Sequence, residues 1–285
     1  MSGRPRVRLG LIGDNIARSR SPDLHRLAGQ LCGIDVTYDL FIPKDLGADF
    51  ETVLGRCRAE GLRGVNVTYP YKERVMAAVA AADPLIRRIG SANTLVFENG
   101  VVRGHNTDHS GFLAAYRAAF GAMRPGRVAL IGAGGVGRAV AFGLGVLAAE
   151  EVRLIDRERD KADALAAALG AAFGTRTAVS VHDDFAAAAG ADAVLNGTPV
   201  GMVGNPGTPI PAALLSGIAW AFDAVYTPVE TRFKADAEAA GARVLSGYEL
   251  FFHQGLDAFG IFTGRRPADL GALRRMLAAA APAAI

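Results

Sequence analysis

The sequence predicts an α/β protein of two domains, each built on an open, mostly parallel sheet. Three observations point there. Short apolar runs alternate with longer Ala/Leu-rich stretches of helical period along nearly the whole chain, the pattern of strands joined by crossover helices. The 285 residues suit two domains at roughly 100–200 residues each. A glycine-rich turn, Gly132-Ala133-Gly134-Gly135-Val136-Gly137, separates an apolar strand from a helix near the middle of the chain.

The elements are read in order. Residues 7–12 read as a strand and 22–33 as a helix, with Ser21 as its N-cap and Pro22 at the first helical position. A strand follows at 36–42, a helix at 45–60, a short strand at 64–68 ended by Tyr69-Pro70, and a helix at 72–82. Residues 94–98 and 101–104 flank Asn99-Gly100, a hairpin signal. A second unit begins near Asp108. It reads as a helix at 111–121, a strand at 127–131, a helix at 136–149, a strand at 151–155 and a helix at 160–169. Strands at 179–181, 193–196 and 221–224, a helix at 234–240 and a strand at 243–245 complete it. The tail from 248 reads as two helices parted by Thr263-Gly264, with a frayed Ala/Pro-rich end at 278–285.

Bulk composition narrows the function classes. Hydrophobic residues make up 51% and charged residues 21%, which suits packed cores and excludes a disordered chain. A net charge of +3 without a block of like charges reads as a solvated surface, not a nucleic-acid interface. The two cysteines, Cys32 and Cys57, form no CxxC pair, so free thiols in a reducing compartment are expected. No apolar run reaches the ~18 residues of a membrane span, and the N-terminal run breaks at Gly10 and Gly13. A cytoplasmic protein without membrane or nucleic-acid partners is the expectation, as a monomer or homodimer. The five histidines show no metal-ligand spacing, so no metal is expected.

The glycine turn has the GxGxxG spacing in the context its mechanism needs, after a strand and at the start of a helix. Gly132 permits the tight turn, Gly134 lets the backbone approach a pyrophosphate, and Gly137 allows close helix–sheet packing. The helix N-terminus favours the anion. A tight turn with no ligand is the open alternative. The next strand runs into Asp156-Arg157, and an acidic side chain there can accept hydrogen bonds from a ribose. A helix N-cap or a surface acid is the alternative for Asp156.

Polar motifs gather in the N-terminal half, where strands end: Ser19-Arg20-Ser21-Pro22, Asn66-Val67-Thr68-Tyr69-Pro70-Tyr71-Lys72, Asn93-Thr94 and Asn106-Thr107-Asp108. Ligands of open parallel sheets bind beyond the carboxyl ends of strands, and clustered hydroxyls and amides suit a polyol. Lys72 and Asp108 have the chemistry of a proton donor and its orienting partner. Each motif also has an ordinary reading: Ser21 as a cap, Lys72 as a solvated side chain, Asn93 and Asn106 as turn residues.

With these motifs the chain resembles the shikimate dehydrogenases and their quinate/shikimate relatives, nearly end to end. The most specific pieces are Asn66-Val67-Thr68-x-Pro70-x-Lys72, Gly104-x-Asn106-Thr107-Asp108-x-x-Gly111 and Asn196-Gly197-Thr198-Pro199-Val200-Gly201-Met202. Asp223-x-Val225-Tyr226-x-Pro228-x-x-Thr231 and Gln254-x-x-x-Ala258-Phe259-x-x-x-Thr263-Gly264 extend the match. The resemblance implies that Lys72 and Asp108 are the catalytic pair. It implies that Ser19, Ser21, Thr68, Lys72, Asn93, Asp108, Tyr226 and Gln254 bind a small cyclic hydroxy acid. It places the nicotinamide cofactor on Gly132, Gly134, Gly135, Val136, Gly137, Asp156 and Arg157 at one end. Thr198, Pro199, Val200, Met202, Val225 and Gly247 border the other end. It also implies a discontinuous substrate domain, 1–107 with 247–285, around a Rossmann domain at 108–246.

Two departures shade this reading. The loop Asp14-Asn15-Ile16-Ala17-Arg18-Ser19 lacks the Pro and His usual in biosynthetic members, which leans toward quinate users. Asp156-Arg157-Glu158 stands where NADP users carry Asn-Arg-Ser/Thr, which leans toward NAD, with NADP still admitted. The expected reaction is reversible hydride transfer between shikimate and 3-dehydroshikimate, with quinate and 3-dehydroquinate as a second pair. The rivals are a dehydrogenase of an aminated shikimate analogue, a methylene-tetrahydrofolate-type dehydrogenase, and a non-catalytic nucleotide-binding regulator on the same fold.

Overall fold

A computed structural model of the chain describes residues 3–280. The chain forms two compact units, one running to Thr107 and resuming at Gln254, the other spanning Asp108–His253. Among the described residues no helix is long and apolar enough to cross a membrane.

The first unit opens with β1 (Arg6–Ile12), α1 (Ser21–Cys32), β2 (Asp35–Phe41), α2 (Phe50–Ala59) and β3 (Gly64–Val67). It continues with β4 (Ala81–Ala82), α3 (Pro84–Ile89), β5 (Thr94–Glu98) and β6 (Val101–His105). Its sheet has the order β2-β1-β3-β5-β6-β4. The strands β2, β1 and β3 are parallel, β3 and β5 antiparallel, and β5–β6 a hairpin. Asn99 and Gly100 both have positive φ, 49° and 77°, as a two-residue turn matched to strand twist requires.

The second unit carries α4 (Thr107–Phe120), β7 (Arg127–Ile131), α5 (Gly135–Val146), β8 (Glu151–Ile155), α6 (Arg159–Phe173) and β9 (Ala178–His182). Then come β10 (Ala193–Asn196), β11 (Trp220–Asp223), α7 (Arg232–Ala239) and β12 (Arg243–Leu245). The order β12-β11-β10-β7-β8-β9 is all parallel, with β7 and β10 adjacent where the order reverses. This is the doubly wound arrangement that binds ligands at its switch point. The central strands β10 and β11 are buried at every position, so they read as continuous apolar runs and not as alternation. The helices α8 (Gly247–Thr263) and α9 (Leu270–Ala279) close the chain. The two-domain α/β class expected from the sequence holds.

Several local expectations need correcting. Ser21 is not an N-cap: Arg20 holds that position, no side chain caps the helix, and Ser21 is the first helical residue. The helix expected at 45–60 starts only at Phe50, because Asp49 accepts the Thr52 N–H at 2.7 Å and caps it there. The helix expected at 72–82 is a single 3₁₀ turn, Arg74–Ala78. Beyond it the Ala80 N–H bonds the Val102 carbonyl at 3.0 Å and Ala81–Ala82 pair with Arg103 and Gly104, so sheet pairing overrides alanine's helix preference. The helix α3 was not expected, although Asp83 before Pro84 and Gly90 after Ile89 are start and stop signals. At the C-terminus α9 stays helical through Ala279, and positions 281–285 of the expected frayed end lie outside the described residues.

Candidate functional site

The polar side chains of the first unit come together where β3 and β6 end and the antiparallel β5 begins. Asn66, buried on β3, accepts from the Tyr38 hydroxyl at 2.8 Å and donates to the Asn93 carbonyl and to Thr94 Oγ1 at 3.1 and 2.9 Å. The Asn93 Oδ1 accepts from the Thr107 N–H at 2.7 Å and from the Thr107 and Thr94 hydroxyls at 3.1 Å each. Its Nδ2 donates to Thr107 Oγ1 at 2.9 Å and reaches Gln254 Oε1 at 3.4 Å. Gln254 Oε1, at 3.3 Å, is an alternative acceptor for the single Thr107 hydroxyl proton. Asn93 is thus the hub of a buried network whose members satisfy one another, which makes the arrangement rigid. The network brings Gln254 to Asn93 across 161 residues of sequence. Asn66, Thr94 and Thr107 stood in the expected polar motifs but without an individual role, although an Asn inside a fully buried strand is a signal that it has partners to find.

Of the other expected substrate residues, Ser19, Ser21, Thr68 and Lys72 belong to the same unit, and Asp108 and Tyr226 to the second. Thr68 and Lys72, both half-buried, belong to the turn after β3. Its backbone is held by Thr68 N–H to the Ile12 carbonyl, Tyr71 N–H to the Thr68 carbonyl, and Ala92 N–H to the Lys72 carbonyl, each at 2.9 Å. Ser19 and Ser21 flank Arg20. The Ser19 hydroxyl donates to Ser21 Oγ and accepts the Ser21 N–H, both at 3.2 Å. Arg20 donates to the carbonyls of Leu277 and Ala280 at the end of α9, where carbonyls lack helical partners. This guanidinium ties the serine loop to the last helix.

In the second unit Asp108 is buried in the first turn of α4, where a carboxylate is favoured by the helix dipole. Next to it the His109 ring nitrogen Nδ1 donates to the Ala139 carbonyl at 3.2 Å, linking α4 to α5. Burial pushes the His109 imidazole below its ordinary value, opposed by that bond, so it stays neutral at pH 7.

The glycine turn follows β7. Gly132 has φ +98°, which a side chain rarely allows, and Gly134 caps α5 from an extended conformation. A Cβ on Gly137 would stand 1.9 Å from the Gly132 carbonyl oxygen, inside any contact distance. Gly137→Ala is therefore expected to destabilise this unit by about 1–3 kcal/mol or more. The denaturant midpoint checks this, and an unchanged midpoint would mean that the turn retracts freely. The N-terminus of α5 carries the positive end of the helix dipole, which favours an anion such as a pyrophosphate.

Asp156 meets this turn directly. Its Oδ2 accepts the Ala133 N–H at 2.6 Å and its Oδ1 accepts the Glu158 N–H at 2.8 Å. Glu158, not Asp156, holds the N-cap position of α6. Arg157 is exposed.

The third strand end of this unit is built from β10 and β11. Asn196 accepts from the Thr198 N–H and hydroxyl at 3.0 and 2.6 Å and donates to the Val200 carbonyl at 3.1 Å and to Asp223 Oδ1 at 2.9 Å. Asp223 also accepts from the Val225 N–H at 3.0 Å and the Thr231 hydroxyl at 2.5 Å. Burial raises the Asp223 carboxyl above its ordinary value, against the lowering pull of Thr231, Val225 and Asn196. The segment with Thr198, Pro199, Val200 and Met202 is thereby locked to the segment with Val225 and Tyr226. Tyr226 stacks on Phe251 at 4.8 Å, and a Cβ on Gly247 would stand 2.5 Å from the Val225 carbonyl oxygen. Neither Asp223 nor Thr231 was an expected site residue; their place in an ordered motif was the available signal.

The family model of the shikimate dehydrogenase substrate binding domain matches residues 11–95. A quinate/shikimate dehydrogenase (NAD(+)) of Corynebacterium efficiens is 36% identical over 267 residues, 92% of this chain and 94% of its own. The chain belongs to the shikimate dehydrogenase family. A shikimate dehydrogenase (NADP(+)) of Streptomyces avermitilis is 38% identical over 282 residues, 97% of each chain. A family member of solved structure, quinate dehydrogenase from Corynebacterium glutamicum in complex with NAD, superposes with a TM-score of 0.86 at 32% identity. That superposition covers 97% of this chain and 100% of the other. The resemblance read from the ordered motifs is borne out at the level of the family.

Proposed function

We propose that this chain catalyses reversible NAD(P)-dependent oxidation of shikimate to 3-dehydroshikimate, with quinate and 3-dehydroquinate as a second pair and NAD as the favoured cofactor. The observation that carries this reading is the buried Asn93 network. It fixes Gln254 and Thr107 beside one another in the unit that also holds the Lys72 turn and the serine loop. A fixed set of hydroxyl and amide groups in the same unit as a lysine suits a polyhydroxylated acid whose reacting oxygen must exchange a proton.

The second unit fits the cofactor. The positive φ of Gly132, the close approach of Gly137 to the Gly132 carbonyl, and the Asp156 bond to the Ala133 N–H support a reading in which the pyrophosphate takes the start of α5, Asp156 the ribose, and the Asn196–Asp223 network the nicotinamide end. The bound nicotinamide supplies the hydride acceptor for oxidation and the donor for reduction. Lys72 takes the hydroxyl proton during oxidation and returns it to the oxygen during reduction. Asp108 accepts a hydrogen bond from a substrate hydroxyl. Ser19 and Ser21 bind the carboxylate.

Steady-state kinetics at 340 nm with shikimate and quinate, each paired with NAD and NADP, tests the assignment. Turnover of either acid supports it. No turnover of either with either cofactor overturns it in favour of a nucleotide-binding regulator or a different ring substrate.

The serine loop gives a separate expected result. Because Ser21 caps nothing, Ser21→Ala is expected to raise KM for the acid with little change in melting temperature. A hydrogen bond to a charged group is worth roughly 1.5–3 kcal/mol, which corresponds to about 10- to 150-fold in KM. A drop in melting temperature with KM unchanged would remove Ser21 from the substrate contacts.

A further inference from the structure

We propose that Asp14 is a positioning residue, whose carboxylate joins the loop after β1 to the Tyr71-Lys72 turn and thereby fixes the general acid. The inference rests on the reading of Lys72 given above and adds a residue to it.

The loop after β1 is seated between two neighbouring strand ends. Its Gly13 N–H bonds the Phe41 carbonyl at 3.2 Å and its Asp14 N–H bonds the Tyr69 carbonyl at 3.1 Å. The seat is tight: a Cβ on Gly13 would stand 2.4 Å from the Thr68 methyl and 3.2 Å from the Tyr69 carbonyl oxygen. From this position the Asp14 side chain, only 10% exposed, reaches both flanks. Tyr71 donates its hydroxyl to Oδ1 at 2.6 Å, and Lys44, beyond β2, pairs with Oδ2 at 2.9 Å.

Tyr71 precedes Lys72 directly, so its placement sets where the lysine starts. The Tyr71 ring is stacked on Phe50 of α2 at 4.7 Å and 17°. Stacking fixes the plane of the ring but allows it to slide, and the Asp14 bond removes that freedom. With the Ala92 N–H on the Lys72 carbonyl, the residue is held on both sides. The same carboxylate sits five positions ahead of Ser19, on the loop that presents the serines. One acceptor therefore sets the spacing between the group that binds the acid and the group that moves its proton.

Charge supports the geometry. Burial would raise the Asp14 carboxyl, but the Tyr71 hydroxyl and Lys44 outweigh it and hold the group below its ordinary value. The Tyr71 hydroxyl is pushed up to about 12, first by burial and then by its bond to Asp14. The pair therefore stays as ionised carboxylate and protonated phenol through neutral pH, with the phenol always the donor.

The test is kinetic, on Tyr71→Phe, Asp14→Ala, Asp14→Asn and the double variant Tyr71→Phe/Asp14→Ala, with whichever acid the wild type turns over and saturating NAD. Tyr71→Phe and Asp14→Ala are expected to lower kcat by about 10- to 100-fold, the cost of displacing a reacting group by up to ~1 Å, with KM for NAD unchanged. The Asn side chain keeps an oxygen for the Tyr71 hydroxyl, so Asp14→Asn is expected to recover kcat to within about threefold of wild type, and the double variant to be no worse than the worse single one. A merely structural clamp would lower the melting temperature and leave kcat in place. Folded Tyr71→Phe with wild-type kcat, or Asp14→Asn as damaged as Asp14→Ala, would overturn the proposal. If Lys72→Ala itself retains wild-type kcat, the reading of Lys72 fails, and the positioning role falls with it.

Discussion

Replacing Lys72 with alanine is expected to lower kcat by roughly 10²–10⁴-fold, the usual contribution of a positioned general acid. Affinity for NAD is expected to stay within a factor of about two, because the residues proposed to hold NAD lie on the glycine turn, Asp156 and the Asn196–Asp223 network and do not include Lys72. The structure supports a demanding role for this side chain. Its backbone is fixed by hydrogen bonds on both sides, and it is half-buried. Lys72→Arg sharpens the test. It keeps the positive charge, so any purely electrostatic role would survive. A guanidinium with a pKa above about 12 cannot exchange a proton at neutral pH, so a proton-transfer role would not. Both variants should fall together, measured by kcat with saturating acid and by NAD binding at equilibrium. An alanine variant that retains more than about a third of wild-type kcat would remove Lys72 from the mechanism.

What the sequence made legible was whatever local sterics encode. The glycine turn is one case: Gly132 needs positive φ and Gly137 needs the absence of a Cβ, and both demands fall within six residues of chain. The Asn99-Gly100 hairpin is another. The reading failed where a distant partner decided the outcome. Residues 72–82 have the composition of a helix, but pairing with Arg103 and Gly104 draws Ala81–Ala82 into the sheet. The start of α2 was misplaced because Asp49 was not weighed as a cap. Within the site, Asn93 stood among the polar motifs at strand ends, but Gln254 was named only through the family resemblance, since no periodicity foretells a contact across 161 residues. Ser21 shows the opposite error. Its residue type and the following proline suit an N-cap, yet Arg20 takes that place, and the Ser21 hydroxyl instead accepts from Ser19. The Asp14–Tyr71 bond was invisible because its two ends belong to loops that the sheet order, not the sequence order, makes neighbours.

Wild-type enzyme is expected to use NAD better than NADP, and Asp156→Asn to narrow the difference mainly by improving NADP. Both carboxylate oxygens of Asp156 are engaged by backbone N–H groups, of Ala133 and of Glu158. Each oxygen has a second acceptor site left, so the group can still take hydrogen bonds from the ribose 2′- and 3′-hydroxyls. The same two bonds prevent the carboxylate from swinging aside when a 2′-phosphate arrives. Two unit charges ~4 Å apart repel by about 4 kcal/mol at an effective dielectric near 20. Partial exposure and salt reduce this to roughly 1–3 kcal/mol, or about 5- to 150-fold in kcat/KM. Arg157 opposes the effect, because a guanidinium can pair with a phosphate, but it is exposed and strongly screened. It softens the preference without reversing it. Asparagine offers one acceptor oxygen where aspartate offers two, so the Ala133 or the Glu158 bond is lost and NAD use should fall slightly while NADP use rises. The measurement is kcat/KM for both cofactors in wild type and in Asp156→Asn, at low and at high salt. Discrimination should weaken as salt rises. Equal or better use of NADP by the wild type would sink the role of Asp156 and make Arg157 the residue that decides the cofactor.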